Sequence, residues 1–240
     1  MDQLLVALDV DSARDAFALA DRLRGVAGGF KVGSRLFTTE GPHLVEELAL
    51  RGDRVFLDLK FHDIPHTVAG AVTAATRLGV WMVNVHASGG GDMMRAARAA
   101  ADEESARSGR PAPLVIAVTA LTSLDQTRLE EVGISARVDQ HVERLGRLAR
   151  AAGLDGVVAS AHEIAGIRRH CGPDFVIVTP GIRAAGQAKG DQSRTMSAAE
   201  ALDAGANYIV VGRPIIAADD PHAAALKIAA EPQKQHNARL

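Results

Sequence analysis

The sequence predicts an α/β chain folded as one closed (β/α)8 barrel, the TIM-barrel architecture, across residues 1–240. Three observations carry that expectation. Short apolar, β-branched runs recur eight times, each is followed by a longer Ala-rich segment with apolar residues at helical spacing, and no linker breaks the alternation. Strands apolar almost throughout are buried on both faces, and strand–helix alternation makes right-handed parallel crossovers, so the competing form is an open doubly wound sheet. A count of eight favours closure, and "ALDVDSARDA" stands after the first strand where a dinucleotide-binding sheet would carry G-x-G-x-x-G.

Taken in order, the strands are expected at 4–9 (LLVALD), 29–33 (GFKVG), 54–60 (RVFLDLK), 82–87 (MVNVHA), 114–121 (LVIAVTAL), 155–160 (DGVVAS), 175–180 (FVIVTP) and 207–212 (NYIVVG). Helical spacing fills the gaps at 12–26, 35–51, 65–78, 92–108, 137–152, 162–170, 197–204 and 219–230. The helix from 65 opens on Pro65, whose missing N–H would be unpaired in a first turn anyway. The longest polar tract, RAAGQAKGDQSR at 183–194, reads either as a lid closing over a ligand or as a surface loop, and about 231–240 as a frayed tail.

Composition narrows the partner. Lys plus Arg number 27 against 29 Asp plus Glu, with no basic stripe, so nucleic acid is not expected and a small-molecule ligand is. The N-terminus has no basic leader and no apolar run approaches the ~20 residues of a membrane span, so no membrane partner is expected and the location is expected to be cytoplasmic. Cys171, the single cysteine, allows no intramolecular disulfide, offers no cysteine cluster to a metal, and is expected to be an inert thiol.

Barrels of this kind carry their reactive groups at the C-terminal strand ends. Polar residues there are Asp9 on strand 1, Lys31 on strand 2, Asp58 and Lys60 on strand 3 with Asp63 beyond, Asn84, His86 and Ser88 on strand 4, and Thr119, Thr122 and Ser123 on strand 5. Asp58 and Lys60, two apart, are expected on one face, and Lys31 and Asp63 beside them would complete a four-charge cluster. Neighbouring aspartates would keep both lysines charged, unlike a neutral Schiff-base lysine. A charged lysine can donate a proton and stabilise a developing carbanion, while a carboxylate beside it repels an anionic group of the substrate. Loss of CO2 followed by protonation of carbon would use both.

TPGIR (179–183) and VGRPI (211–215) each set Gly and then Arg past a strand end, where this architecture commonly cradles phosphate. Arg183, Gly212 and Arg213 are the candidates. SGGGD at 88–92, a competing anion turn, ranks below them. His62 and His66 are spaced i, i+4, but Pro65 intervenes without the Glu of H-E-x-x-H, so no metal site is expected. His86 is left open between a functional group and a hydrogen-bonded residue of the barrel top.

LDLKFHDIPHTV, with LLVALD, GGFKVG, TALTS, VTPGIR and GDQSRTMSAAEALDAGANYIVVGRPI, resembles the orotidine 5'-phosphate decarboxylase family from strand 1 through strand 8. The D-x-K-x-x-D core alone is shared with sugar-phosphate enzymes such as the Mg2+-dependent 3-keto-L-gulonate 6-phosphate decarboxylases; IPHTV and TPGIR with Gln192 point to the orotidylate branch. The resemblance implies cofactor-free conversion of orotidine 5'-phosphate to UMP at sites shared across a homodimer. By position it implies that Lys60 protonates C6, Asp58 lies beside the substrate carboxylate, Lys31 touches the ribose and Asp58, and Asp63 arrives from the partner subunit. It further implies Asp9 and Thr67 at the ribose, Thr122 near the pyrimidine with Ser123 as a second contact, and Arg183, Gln192, Gly212 and Arg213 at the phosphate. The family motif more often has Asn where His66 stands.

Overall fold

Apolar residues at the lower part of the strands alternate between the lumen and the surrounding helices, as they do when a tilted, staggered sheet closes into a barrel. The computed structural model describes residues 2–182 and 196–236, with side chains to residue 230. Its strands are β1 (Leu4–Ala7), β2 (Gly29–Gly33), β3 (Val55–Phe61), β4 (Met82–His86), β5 (Leu114–Val118), β6 (Gly156–Val158), β7 (Val176–Thr179) and β8 (Tyr208–Val211). All pair in parallel in the order β1 to β8, and β8 closes on β1 through Leu4–Ile209, Leu5–Val210 and Val6–Val211. Eight strands in one closed sheet are what the repeated apolar runs require.

Eleven helices stand outside the barrel or cap it among the described residues: α1 (Ala13–Leu23), α2 (Ser34–Glu40), α3 (Pro42–Leu50), α4 (Pro65–Arg77), α5 (Gly90–Ser108), α6 (Gln126–Glu131), α7 (Val138–Ala151), α8 (Ile164–Cys171), α9 (Ala198–Asp203), α10 (Arg213–Ile216) and α11 (Pro221–His236). None is long and apolar enough to cross a membrane. The helix expected over 35–51 is two helices, because Gly41 takes a positive φ of 76° and Pro42 opens α3. Short α6 and α10 lie where no helix is expected, and α11 continues past 230, where the tail is expected, to His236.

Caps hold several of these ends. Ser12 accepts from the Asp15 N–H ahead of α1, and Ser197 and Glu200 form a reciprocal capping box at α9. Such caps contribute about 1 kcal/mol each.

The outward residues Leu4, Val6, Val32, Leu57, Val83, Val115 and Ile209 pack beneath the helices. The inward ones, Leu5, Ala7, Phe56, Met82, Ile116, Val178 and Val210, fill the lumen. Trp81 and Tyr208 meet edge-on at 5.1 Å at the N-terminal end of the barrel, with the Arg54 guanidinium 5.5 Å from the Trp81 ring. The lumen is thus sealed at that end, and any ligand must enter from the other.

Candidate active site

Following the inward positions upward, the lumen changes from apolar to charged within one layer. Ala7 gives way to Asp9, Phe56 to Asp58 and Met82 to Asn84, while Lys31 lies level with Ala7 and Phe56 in the strand register. Phe56 and Ala7 floor a cavity of about 440 Å³ whose wall includes Asp9, Lys31, Asp58, Lys60, Thr122, Gly212 and Arg213. Seven of the residues expected at the site are therefore brought together.

Asp58 is the centre of the cluster. Its Oδ1 accepts hydrogen bonds from Lys60 Nζ at 2.7 Å and from Asn84 Nδ2 at 2.7 Å, and its Oδ2 lies 3.3 Å from Lys31 Nζ. Lys31 Nζ is also 3.5 Å from Asp9 Oδ1. Burial pushes the Asp58 carboxyl up, but the charges of Lys31 and Lys60 and the hydrogen bonds from Lys60 and Asn84 outweigh it and hold the group below the usual carboxylate range. Asp58 is thus an anion at neutral pH. Lys31 and Asp58 side chains are 12% exposed whereas Lys60 is 36% and Asp9 50% exposed, so the network is open to a ligand at its Lys60 and Asp9 ends.

The expected alternation along β3 is interrupted here. Leu57 pairs with Val83 but Phe61 pairs with Val85, so four residue steps on β3 face two on β4. Lys60 sits in this bulge with φ 53°, the one described residue other than glycine with positive φ. That conformation costs roughly 1–2 kcal/mol for an L-residue. Its N–H, lifted from the ladder, donates to Asn84 Oδ1 at 2.8 Å.

Gly212, the residue before α10, lines the opposite wall. A Cβ there would stand 3.3 Å from Asp9 Oδ2 and 3.5 Å from the Ala7 Cβ, so glycine leaves the room that a bound group can use.

Other expected site residues lie elsewhere. Asp63 does not join the four-charge cluster within one chain: it is exposed, lies outside the cavity, and accepts from the Ile64 N–H at 2.6 Å. The reason is the turn of β3 into α4, which carries residues 62–67 outward as an exposed stretch. Thr67 lies in that stretch, and Ser123 is exposed beside the mouth without lining it. Arg183, Gln192 and the whole of the 183–194 tract lie outside the described residues, as does residue 195. Thr119 is buried and donates to the Val158 carbonyl at 3.0 Å, a bond that ties β5 to β6.

The histidines and the cysteine resolve similarly. His66 is exposed on the first turn of α4, and the His62 and His86 rings lie 5.3 Å apart. Burial, then the His62 and Lys60 charges, hold His86 below the usual imidazole range despite Asp58, so it is neutral at pH 7. Among the described residues no group of three His, Cys, Asp or Glu side chains could hold a metal. Cys171 is buried at the end of α8, where burial pushes the thiol up.

Two contributors carried little signal. Arg35 lines the mouth and pairs with Asp11; it follows the end of β2 by two residues, but in sequence it reads as the first residue of the helical pattern at 35–51. Asn84 is visible in the sequence as a polar residue at a lumen position of β4, but its bonding to Asp58 and Lys60 depends on the bulge of the neighbouring strand.

The chain is similar along nearly its whole length to proteins of one family. Residues 2–228 match the model of the "Orotidine 5'-phosphate decarboxylase / HUMPS family". The orotidine 5'-phosphate decarboxylase of Moorella thermoacetica is 59% identical over 96% of this chain and 92% of that protein, and that of Alkalilimnicola ehrlichii is 53% identical over 95% of each. The crystal structure of orotidine 5'-phosphate decarboxylase from Lactobacillus acidophilus superposes with a TM-score of 0.85 at 34% identity, covering 96% of this chain and 98% of that one. The chain belongs to the orotidine 5'-phosphate decarboxylase family, enzymes that form UMP from orotidine 5'-phosphate in pyrimidine biosynthesis.

Proposed function

We propose that the chain decarboxylates orotidine 5'-phosphate in the cytoplasm without metal or organic cofactor, with Lys60 as the proton donor to C6. The observation that carries this reading is the triply bonded Asp58 carboxylate beside the exposed Lys60 ammonium at the cavity mouth. A phosphate held near Gly212 and Arg213, with Arg183 and Gln192 added, and a ribose held by Asp9, Lys31 and Thr67 would press the substrate carboxylate against Asp58. Thr122 would meet the pyrimidine. The bond from C6 to the carboxylate breaks, CO2 leaves, and the electron pair stays on C6, stabilised by the Lys60 charge until an Nζ–H proton moves to that carbon. Water then returns a proton to Lys60.

Two copies are proposed to pair through the exposed start of α4, so that Asp63 completes the charge cluster of the other copy. Support comes from the solvent-facing carboxylate of Asp63 and from its neighbour Ile64, which is 66% exposed beside it.

The test is loss of orotidylate absorbance with purified protein in excess chelator. Turnover is expected, and its absence would overturn the cofactor-free reading. Lys60→Ala should keep its thermal midpoint and lose at least ~10³-fold in kcat, within the range set by general acid catalysis and electrostatic stabilisation. Retained turnover would remove Lys60 from the role.

A further inference from the structure

We propose that Asn84 is a positioning residue for the reaction, which sets both the direction of the Asp58 carboxylate and the left-handed backbone that presents Lys60. The inference rests on the proposed roles of Lys60 and Asp58 and extends them to a residue that does not line the cavity.

Asn84 is fully buried, and its side-chain amide is used at both ends. Oδ1 accepts the Lys60 N–H at 2.8 Å, and Nδ2 donates to Asp58 Oδ1 at 2.7 Å, the same oxygen that takes Lys60 Nζ. A buried amide satisfied twice by one pair of residues is a geometric clamp: the acceptor end fixes where the backbone of Lys60 turns, and the donor end fixes how Asp58 is rotated.

The bulge makes the clamp necessary. Between Leu57 and Phe61 the β3–β4 pairing is out of register, so the Lys60 N–H has no ladder carbonyl. Asn84 reaches from the facing strand to replace it. An N–H left unpaired there would favour relaxation of φ 53° toward ordinary extended backbone, which would swing Nζ away from Asp58. The side chain must offer an acceptor and a donor together. An apolar residue supplies neither, and a carboxylate supplies an acceptor but sets a second negative charge against Asp58.

A residue with this task acts on the reacting groups and not on the phosphate contacts, and it reaches a ribose contact only indirectly, through the Asp58–Lys31 pair. Substitution is therefore expected to lower kcat while leaving affinity for the product almost untouched. The measurement is kcat for orotidine 5'-phosphate and Kd for UMP in Asn84→Leu, similar in size but without hydrogen bonds. Asn84→Ser, smaller and with a hydroxyl too short to bridge both partners, carries the test if the first variant does not fold. Wild-type protein and Lys60→Ala are assayed alongside. The expected result is a fall in kcat of roughly 10²-fold, the scale of an ångström's misplacement, with Kd for UMP within about threefold of wild type.

Three results would overturn the proposal: kcat within about threefold of wild type in a folded variant, kcat and UMP affinity lost in equal measure, or failure of both variants to fold, which would make Asn84 a determinant of the barrel instead of the site. An active Lys60→Ala would instead show the roles assigned to Lys60 to be at fault, a result separable from any of these.

Discussion

At the scale of single residues, the site works by crowding, and Gly212 is where crowding can be tested without touching a charge. Gly212→Ala would put a methyl group 3.3 Å from Asp9 Oδ2 inside the cavity, so Asp9 or the ligand must give way. Affinity for UMP should fall roughly tenfold, about 1.4 kcal/mol, with an unchanged thermal midpoint, read by isothermal titration and a melting curve. Asp9, Lys31, Asp58, Lys60, Gly212 and Arg213 could be named from sequence because each interrupts or ends an apolar run where barrel strands open. The backbone of Lys60 could not. Asp-Leu-Lys-Phe alternates as a regular strand would, and lysine gives no sign of a left-handed φ. Asp63 was nameable as a charge, but its outward direction is set by the turn into α4, which the charge pattern does not record.

At the scale of elements, α4 and α5 are joined through Glu104, whose side chain is only 3% exposed. It takes hydrogen bonds from Arg107 Nε at 2.9 Å and Arg77 Nη2 at 3.3 Å, and those two arginines, Arg107 foremost, lower its pKa to about 2. Because the folded value lies below the unfolded one of roughly 4.3, the contribution to stability is complete above the unfolded value and is lost as pH falls through the folded one. Glu104→Gln should be less stable than wild type at pH 7, and the gap should close between about pH 4.5 and pH 2. Urea midpoints followed by the fluorescence of Trp81, the single tryptophan, would measure it. The eight strands were legible because β-branched runs bounded by polar residues have few other uses. The break at Gly41–Pro42 was masked by apolar spacing that continues from Leu36 to Leu44 and Leu48, and α6 and α10 are too short to show a helical period.

At the scale of the whole molecule, the proposed exchange of Asp63 between copies makes a complementation prediction. Lys60→Ala and Asp63→Ala proteins, each nearly inactive alone, should regain activity when unfolded together and refolded as a mixture. A hybrid pair holds one site with both defects and one with neither, so random pairing should restore about a quarter of the wild-type rate. No recovery, with hybrids verified by mass, would place Asp63 outside the partner's site. The bulge of β3 has a further consequence for anyone moving this chemistry to another barrel. Writing Asp-x-Lys onto a regular strand would import the right side chains at the wrong angle. The portable unit is the irregular strand together with the asparagine of its neighbour, and a design lacking that second strand would carry the motif as spelling without its geometry.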